Sequence, residues 1–193
     1  STQSRSSAAS DVYKRQALAL SDRPLSRDEL TYLLWPDVSQ EVARQRLRRS
    51  LSELRQAVGP LAAELLPDAH NLSSAVLRFN HEICRVDARE FVQLSARAGA
   101  LPDPDGLRAA EQAAELCAAP LLSGLDLEDT PEFETWLRQQ RERFNRLRLD
   151  VLRRVARGYT LLGDYPRAIA AVEQALTLDA LSEDLHRKAM WLY

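Results

Sequence analysis

Leu25-Ser26-Arg27-Asp28-Glu29-Leu30, followed by Trp35-Pro36-Asp37 and closed by Val58-Gly59-Pro60, is the stretch that decides the fold. Ser26 has the side chain of an N-cap, and Glu29 three residues later completes a capping box. Leu25 and Leu30 occupy the two positions of a hydrophobic staple. Pro36 disfavours helix at Trp35 and so ends a short first helix. Asp37 or Ser39 caps a second helix, predicted to run for about 20 residues to Val58 and to stop at Gly59-Pro60. Two helices joined by a tight turn make a helix-turn-helix.

The second helix has two faces. Ala43, Leu47, Leu51, Leu54 and Val58 fall on one apolar stripe. Gln45, Arg48, Arg49, Ser52 and Gln56 project from the opposite side, with Arg44 and Arg55 flanking the stripe. Arginine and glutamine hydrogen-bond guanine and adenine edges in the major groove, and arginine also holds phosphates. Charge points the same way. Residues 38–58 carry five arginines against two glutamates, a net +3, while residues 101–135 carry nine acids against Arg108, a net −8. A basic helix beside an acidic segment suits one anionic partner and a separate protein-facing half, although solvated faces give the same pattern. Arg44, Gln45, Arg48, Arg49, Ser52 and Arg55 are therefore the candidate DNA-binding residues.

Residues 23–30, Leu34-Trp35-Pro36-Asp37 and residues 43–55 together resemble the winged-helix half of the Streptomyces antibiotic regulatory protein type, which is similar to the OmpR-type winged helix. The resemblance implies that the helix ending at Val58 enters the major groove of double-stranded DNA and that a β-hairpin wing follows. Leu65-Leu66 and residues 75–79 read as the two wing strands around a turn at 67–74, which would place His70, Asn71 and Arg78 near phosphates; an irregular surface loop reads equally well. The small sheet such domains carry ahead of the first helix has no counterpart in residues 1–16, so the winged helix is expected to be truncated.

Past residue 86 the pattern is all helical. Asp87 is a plausible N-cap ahead of Phe91 and Leu94, and Pro102 to Gly106 reads as a loop. Leu107, Ala110, Ala114 and Cys117 mark the next helix, and residues 120–130 an acidic loop. A long helix then carries Phe133, Trp136, Leu137, Phe144, Leu147, Val151, Leu152 and Val155. Gln140 within that stripe is either a buried hydrogen-bonding residue or the sign of a break. Tyr159, Gly163, Tyr165, Ala168, Val172 and Ala175 match the spacing of a tetratricopeptide repeat, with Tyr193 at the next Tyr position. Tyr159, Tyr165, Trp136 and Trp191 read as core.

Residues 87–91, 121–125, 132–137 and 179–187 resemble the bacterial transcriptional activator domain. What that resemblance implies is a module for homodimer formation and for contact with RNA polymerase.

The expected architecture is mainly α. Residues 1–16 form a disordered or non-native tail, 17–86 a winged-helix DNA-binding domain without its N-terminal sheet, and 87–193 an all-α, tetratricopeptide-like activator domain truncated at its C-terminal end. Both Ala17 to Leu20 and Met190 to Tyr193 are expected to expose apolar surface. No run of about 18 apolar residues exists to span a membrane, and two cysteines, Cys84 and Cys117, are too few for a disulfide scaffold, which favours the cytoplasm.

Enzyme chemistry finds no footing. Gly-rich phosphate loops, Gly-x-Ser-x-Gly turns and paired catalytic carboxylates are missing from the sequence, and His81 with Cys84 supplies only two metal ligands. No cofactor is expected. Two functions remain: a sequence-specific DNA-binding transcriptional activator, or a tetratricopeptide-like interaction scaffold that does not bind DNA. They differ in whether the surface over Gln45, Arg48, Arg49 and Arg55 is open or covered by residues 126–134.

Overall fold

The computed structural model describes residues 18–21, 23–69, 74–99, 103–123 and 131–193. The chain divides into two units, one of residues 1–86 with 125–137, the other of residues 87–124 with 138–193. Of the described residues, 131–137 fall in the first unit.

In the first unit, strand β1 (Leu25–Ser26) leads directly into helix α1 (Arg27–Leu34). The capping box forms as its residue types require. The Glu29 backbone N–H donates to Ser26 Oγ at 3.0 Å, and Glu29 Oε2 accepts from the Ser26 N–H at 2.8 Å. Helix α1 stops at Leu34, one residue before Trp35-Pro36. Helix α2 (Gln40–Val58) then runs unbroken for 19 residues. Gly59 ends it with φ +71°, a left-handed conformation that glycine adopts without a Cβ penalty. Ser39 is its N-cap position, though the serine side chain makes no capping hydrogen bond.

Ala43, Leu47, Leu51 and Leu54 are buried as one stripe, against a core that also holds Leu30, Leu34, Leu66 and Leu77. Stripe member Val58 is only half-buried. Ser50 is buried as well and returns its hydroxyl to the Arg46 carbonyl at 2.8 Å, so no polar atom is stranded.

The hairpin expected at residues 65–79 is corrected in one strand. Leu65 closes a turn of helix, α3 (Ala62–Leu65), because Ala62 and Leu66 are both buried at a spacing of four, a helical spacing. Strand β2 (Val76–Leu77) does form, but it pairs antiparallel with β1, Leu25 opposite Leu77 and Ser26 opposite Val76. The Asn80 N–H, just past the second expected strand, donates to the Leu65 carbonyl at 2.9 Å. At the start of the unit, residues 18–20 form a helical turn in which Leu18 is buried and Leu20 half-buried, so those two side chains are not the exposed apolar surface expected there.

The second unit stacks helices. Helix α4 (Asp87–Arg97) packs closely on α5 (Pro104–Leu116). The loop expected through Gly106 is shorter than predicted. Asp103 is the N-cap, its Oδ1 accepting from the Gly106 N–H at 2.7 Å, and Pro104 starts the helix where a missing N–H costs nothing. The buried stripe of α5 is Gly106, Ala109, Ala110 and Ala113; Leu107, Ala114 and Cys117 of the expected stripe are only half-buried. Close approach explains the shift: a Cβ on Gly106 would meet the Ala98 carbonyl oxygen at 2.8 Å.

Helix α6 (Pro131–Leu162) continues through Gln140, which is half-buried, without a break. Phe144 stacks on Phe91 with ring centroids 5.6 Å apart, and Gly158 sits against Leu107. Helix α7 (Tyr165–Leu178) follows a turn at Gly163, φ +76°, and buries Ala168, Ala171, Val172 and Ala175. Helix α8 (Glu183–Leu192) packs on α7.

Of the aromatic residues read as core, Tyr159 is buried and Trp136 half-buried. Tyr165 and Trp191 are exposed and meet each other edge to face, at 6.3 Å, on the surface. Met190 and Tyr193 are exposed as expected, whereas Leu192 between them is buried.

Candidate nucleic-acid interface

The polar face of α2 is arranged by the burial of its opposite side. With Ala43, Leu47, Leu51 and Leu54 fixed in the core, helical geometry turns Arg44, Gln45, Arg46, Arg48 and Arg49 outward, and all five are exposed. Ser52 and Arg55, nearer the stripe, are half-buried.

Two of these arginines are held by acids. Arg44 donates through Nε and Nη2 to Asp28 Oδ1, at 3.3 and 3.1 Å. Arg49 Nε donates to Glu53 Oε1 one turn on, at 2.8 Å. Exposed pairs of this kind are worth about 0.2–1 kcal/mol, so a competing anion would displace the acid at little cost. The side chains of Gln45, Arg46 and Arg48 have no hydrogen-bond or ion-pair partner among the described residues.

Arg27 was not among the expected site residues, yet it belongs to this cluster. Its Nε donates to the Ser74 carbonyl at 2.8 Å and its Nη2 to the Asp68 carbonyl at 3.3 Å. Burial lowers its pKa, and the neighbouring Arg48 guanidinium lowers it further, an effect Asp68 opposes. Arg55 joins from below, Nη1 donating to the Ala69 carbonyl at 3.4 Å. Arg27 and Arg55 thereby anchor the chain on both sides of residues 70–73. His70 and Asn71 lie outside the described residues. Arg78 is exposed but engaged with Asp68, Nε to Oδ2 at 2.8 Å and Nη2 to Oδ1 at 3.2 Å; this pair holds the Asp68 carboxyl below its ordinary pKa.

Nothing in this arrangement suggests a metal site: among the described residues no group of three or more His, Cys, Asp or Glu side chains is placed to hold an ion. Cys84 and Cys117 are free thiols, the second pushed up in pKa by burial. No described helix is long and apolar enough to cross a membrane.

Residues 86–193, more than half of the 193-residue chain, match the family described as the bacterial transcriptional activator domain. The chain belongs to this family. No curated protein and no solved structure matches it. The activator-domain match contains helices α4, α5, α7 and α8 and all of α6, and the four segments that carried the resemblance lie inside it. It begins at residue 86, so the candidate interface on α2 stands outside the matched region and rests on its own residues and geometry.

Proposed function

We propose that the chain is a transcription activator that binds duplex DNA through α2 in the major groove, with the activator-domain helices serving dimerisation and contact with RNA polymerase. A cytoplasmic protein without a catalytic step fits that role. One observation carries the reading: α2 buries a leucine stripe and presents Gln45, Arg46 and Arg48, exposed and unpartnered among the described residues, from the other side.

In this reading Gln45, Arg48 and Arg49 face base edges, with Ser52 beside them, while Arg44 and Arg55 hold backbone phosphates. Arg27 holds the backbone at Asp68 and Ser74. Wing contacts by His70, Asn71 and Arg78 belong to the same proposal. Gln45, Arg48 and Arg49 are exposed and Arg55 is half-buried; the open surface over the first three supports DNA binding over an interaction scaffold whose α2 face is covered.

Selection from random duplexes, followed by Arg48→Ala, tests it. A base-reading arginine costs about 1–3 kcal/mol on the selected site and relaxes one position of the preference. A phosphate-holding arginine weakens all sequences equally and reduces the salt slope by about one unit. If alanine at Arg48, Arg49 and Arg55 together leaves binding unchanged, the recognition helix has been misread.

A further inference from the structure

Helix α6 carries a steeper charge than α2. Between residues 138 and 157 it has eight arginines against Glu142 and Asp150, a net +6. These arginines have different fates, and the difference locates a second surface. Arg141 donates to the Leu121 and Leu122 carbonyls at 3.0 and 2.8 Å, Arg148 to the Ala118 carbonyl at 2.8 Å, and Arg154 to the Ser95 carbonyl at 2.8 Å. Those three fasten the fold of the second unit. Arg138, Arg146 and Arg157 are exposed and have no hydrogen-bond or ion-pair partner among the described residues.

The three lie on one face. At 100° per residue they fall within a sector of about 100°, spread over roughly 28 Å of helix axis. Arg153 lies in the same sector, 3.8 Å from Asp150 and within reach of Ser182 Oγ. Glu142 also projects there, so the face is not uniformly basic, but arginine dominates it. Its exposed positions are all polar, with Gln139 beside the arginines. A protein-binding patch would carry an apolar or aromatic centre. An extended row of exposed arginines, whose apolar neighbour Leu149 is half-buried, matches a line of phosphates instead.

We propose that the Arg138–Arg146–Arg157 face of α6 binds the phosphate backbone of duplex DNA without regard to sequence. The inference does not depend on α2 touching DNA. Its partner is a phosphate row, and the acidic surface of a protein is the competing occupant that the test must separate.

The experiment titrates the full chain against short duplexes of unrelated sequence over a range of salt, with R138Q/R146Q/R157Q as the variant. Gln keeps helix propensity, and all three sites are exposed, so folding is preserved and is checked by circular dichroism. The variant is expected to lose about 2 to 3 units of slope in log K against log salt, equally on every duplex. The same loss is expected in a chain already carrying R48A/R49A. Sequence preference reports on α2 and the sequence-independent slope on α6, so either reading can fail alone. An unchanged slope in both backgrounds would overturn the proposal. So would unchanged DNA binding accompanied by altered sedimentation, which would assign the face to a protein partner.

Discussion

Around α2 the buried side chains are mostly leucines: Leu30, Leu34, Leu47, Leu51, Leu54, Leu66 and Leu77. Where α4 and α5 pack and along α7, the buried positions are mostly small: Ala98, Gly106, Ala109, Ala110, Ala113, Ala168, Ala171 and Ala175, with Phe91, Phe144, Val151 and Leu152 as larger plugs. The first unit is filled by volume. The second is built on short distances between backbones, which small residues permit. Cores of the two kinds should fail in opposite ways, the first when atoms are deleted and the second when they are added.

The largest effect is expected from deletion in the leucine core. Leu51 is 4% exposed in the middle of the α2 stripe. Leu51→Ala should cost about 2–5 kcal/mol of stability, through lost transfer energy and the cavity left behind. Urea unfolding followed by circular dichroism measures this, and DNA binding should weaken in parallel because the arginine face is set by that stripe. A loss well below 1 kcal/mol would mean that the stripe collapses on itself and that the contrast between the units is overstated.

Addition in the second unit comes next. Gly106→Ala places a Cβ 2.8 Å from a backbone oxygen, that of Ala98, which cannot move without shifting the end of α4. A cost of about 1–3 kcal/mol is expected from overpacking. Gly158→Ala is the control. Its Cβ would meet Leu107 Cδ1 at 2.7 Å, the end of a side chain that can change rotamer. Replacing a mid-helix glycine by alanine also gains about 1 kcal/mol of helix propensity. Gly158→Ala should therefore be close to neutral. Similar losses at the two glycines would show that the backbone spacing of α4 and α5 is not what limits the second unit.

What could be read from sequence follows the same division. Helices α1 and α2 were legible because their signals are local: Ser26 with Glu29, Pro36, Gly59, and a leucine stripe in strong contrast with arginines. The α5 stripe was read correctly only at Ala110, because a run rich in alanine has little polar contrast, and Leu107 looked like core beside it. Pairing of Leu25 with Leu77 was invisible, since the hydrogen bonds of a two-residue strand leave no periodicity and join segments far apart. At the candidate site, the outward projection of Gln45 and Arg48 came from helical geometry alone. Arg27 did not, because the carbonyls it holds lie 41 and 47 residues away. Likewise the charge of α6 can be counted in the sequence. Which of its arginines are occupied cannot, as the carbonyls they hold are 19 to 59 residues distant.

Local fastenings should matter less than either kind of packing. Ser26→Ala removes the acceptor for the Glu29 N–H at the start of α1. The expected cost is about 1 kcal/mol, within a range of about 0.5–2. Thermal unfolding of Ser26→Ala beside Leu51→Ala ranks cap against core. A cap mutant as unstable as the core mutant would place the stability of the first unit in α1 and not in the leucine stripe.

The smallest effect concerns the other half of the same capping box. Arg23's guanidinium and the Ser26 backbone N–H hold the Glu29 carboxyl down at about 2. In the unfolded chain a glutamate titrates near about 4.3. A carboxylate whose pKa is depressed by folding stabilises the folded state above the unfolded value, and that contribution is lost as pH falls towards the folded one. Glu29→Gln lacks the charge at every pH. The stability gap between wild type and Glu29→Gln should therefore be constant above about pH 5 and close between about 4.3 and 2. Because the Glu29 side chain is 45% exposed, solvent screening limits the gap to about 1 kcal/mol at most. Urea midpoints of the two proteins across that pH range decide the matter. A gap that stays open at the acid end would mean that hydrogen-bond geometry, which glutamine shares only in part, holds the box, and that the carboxylate charge does not.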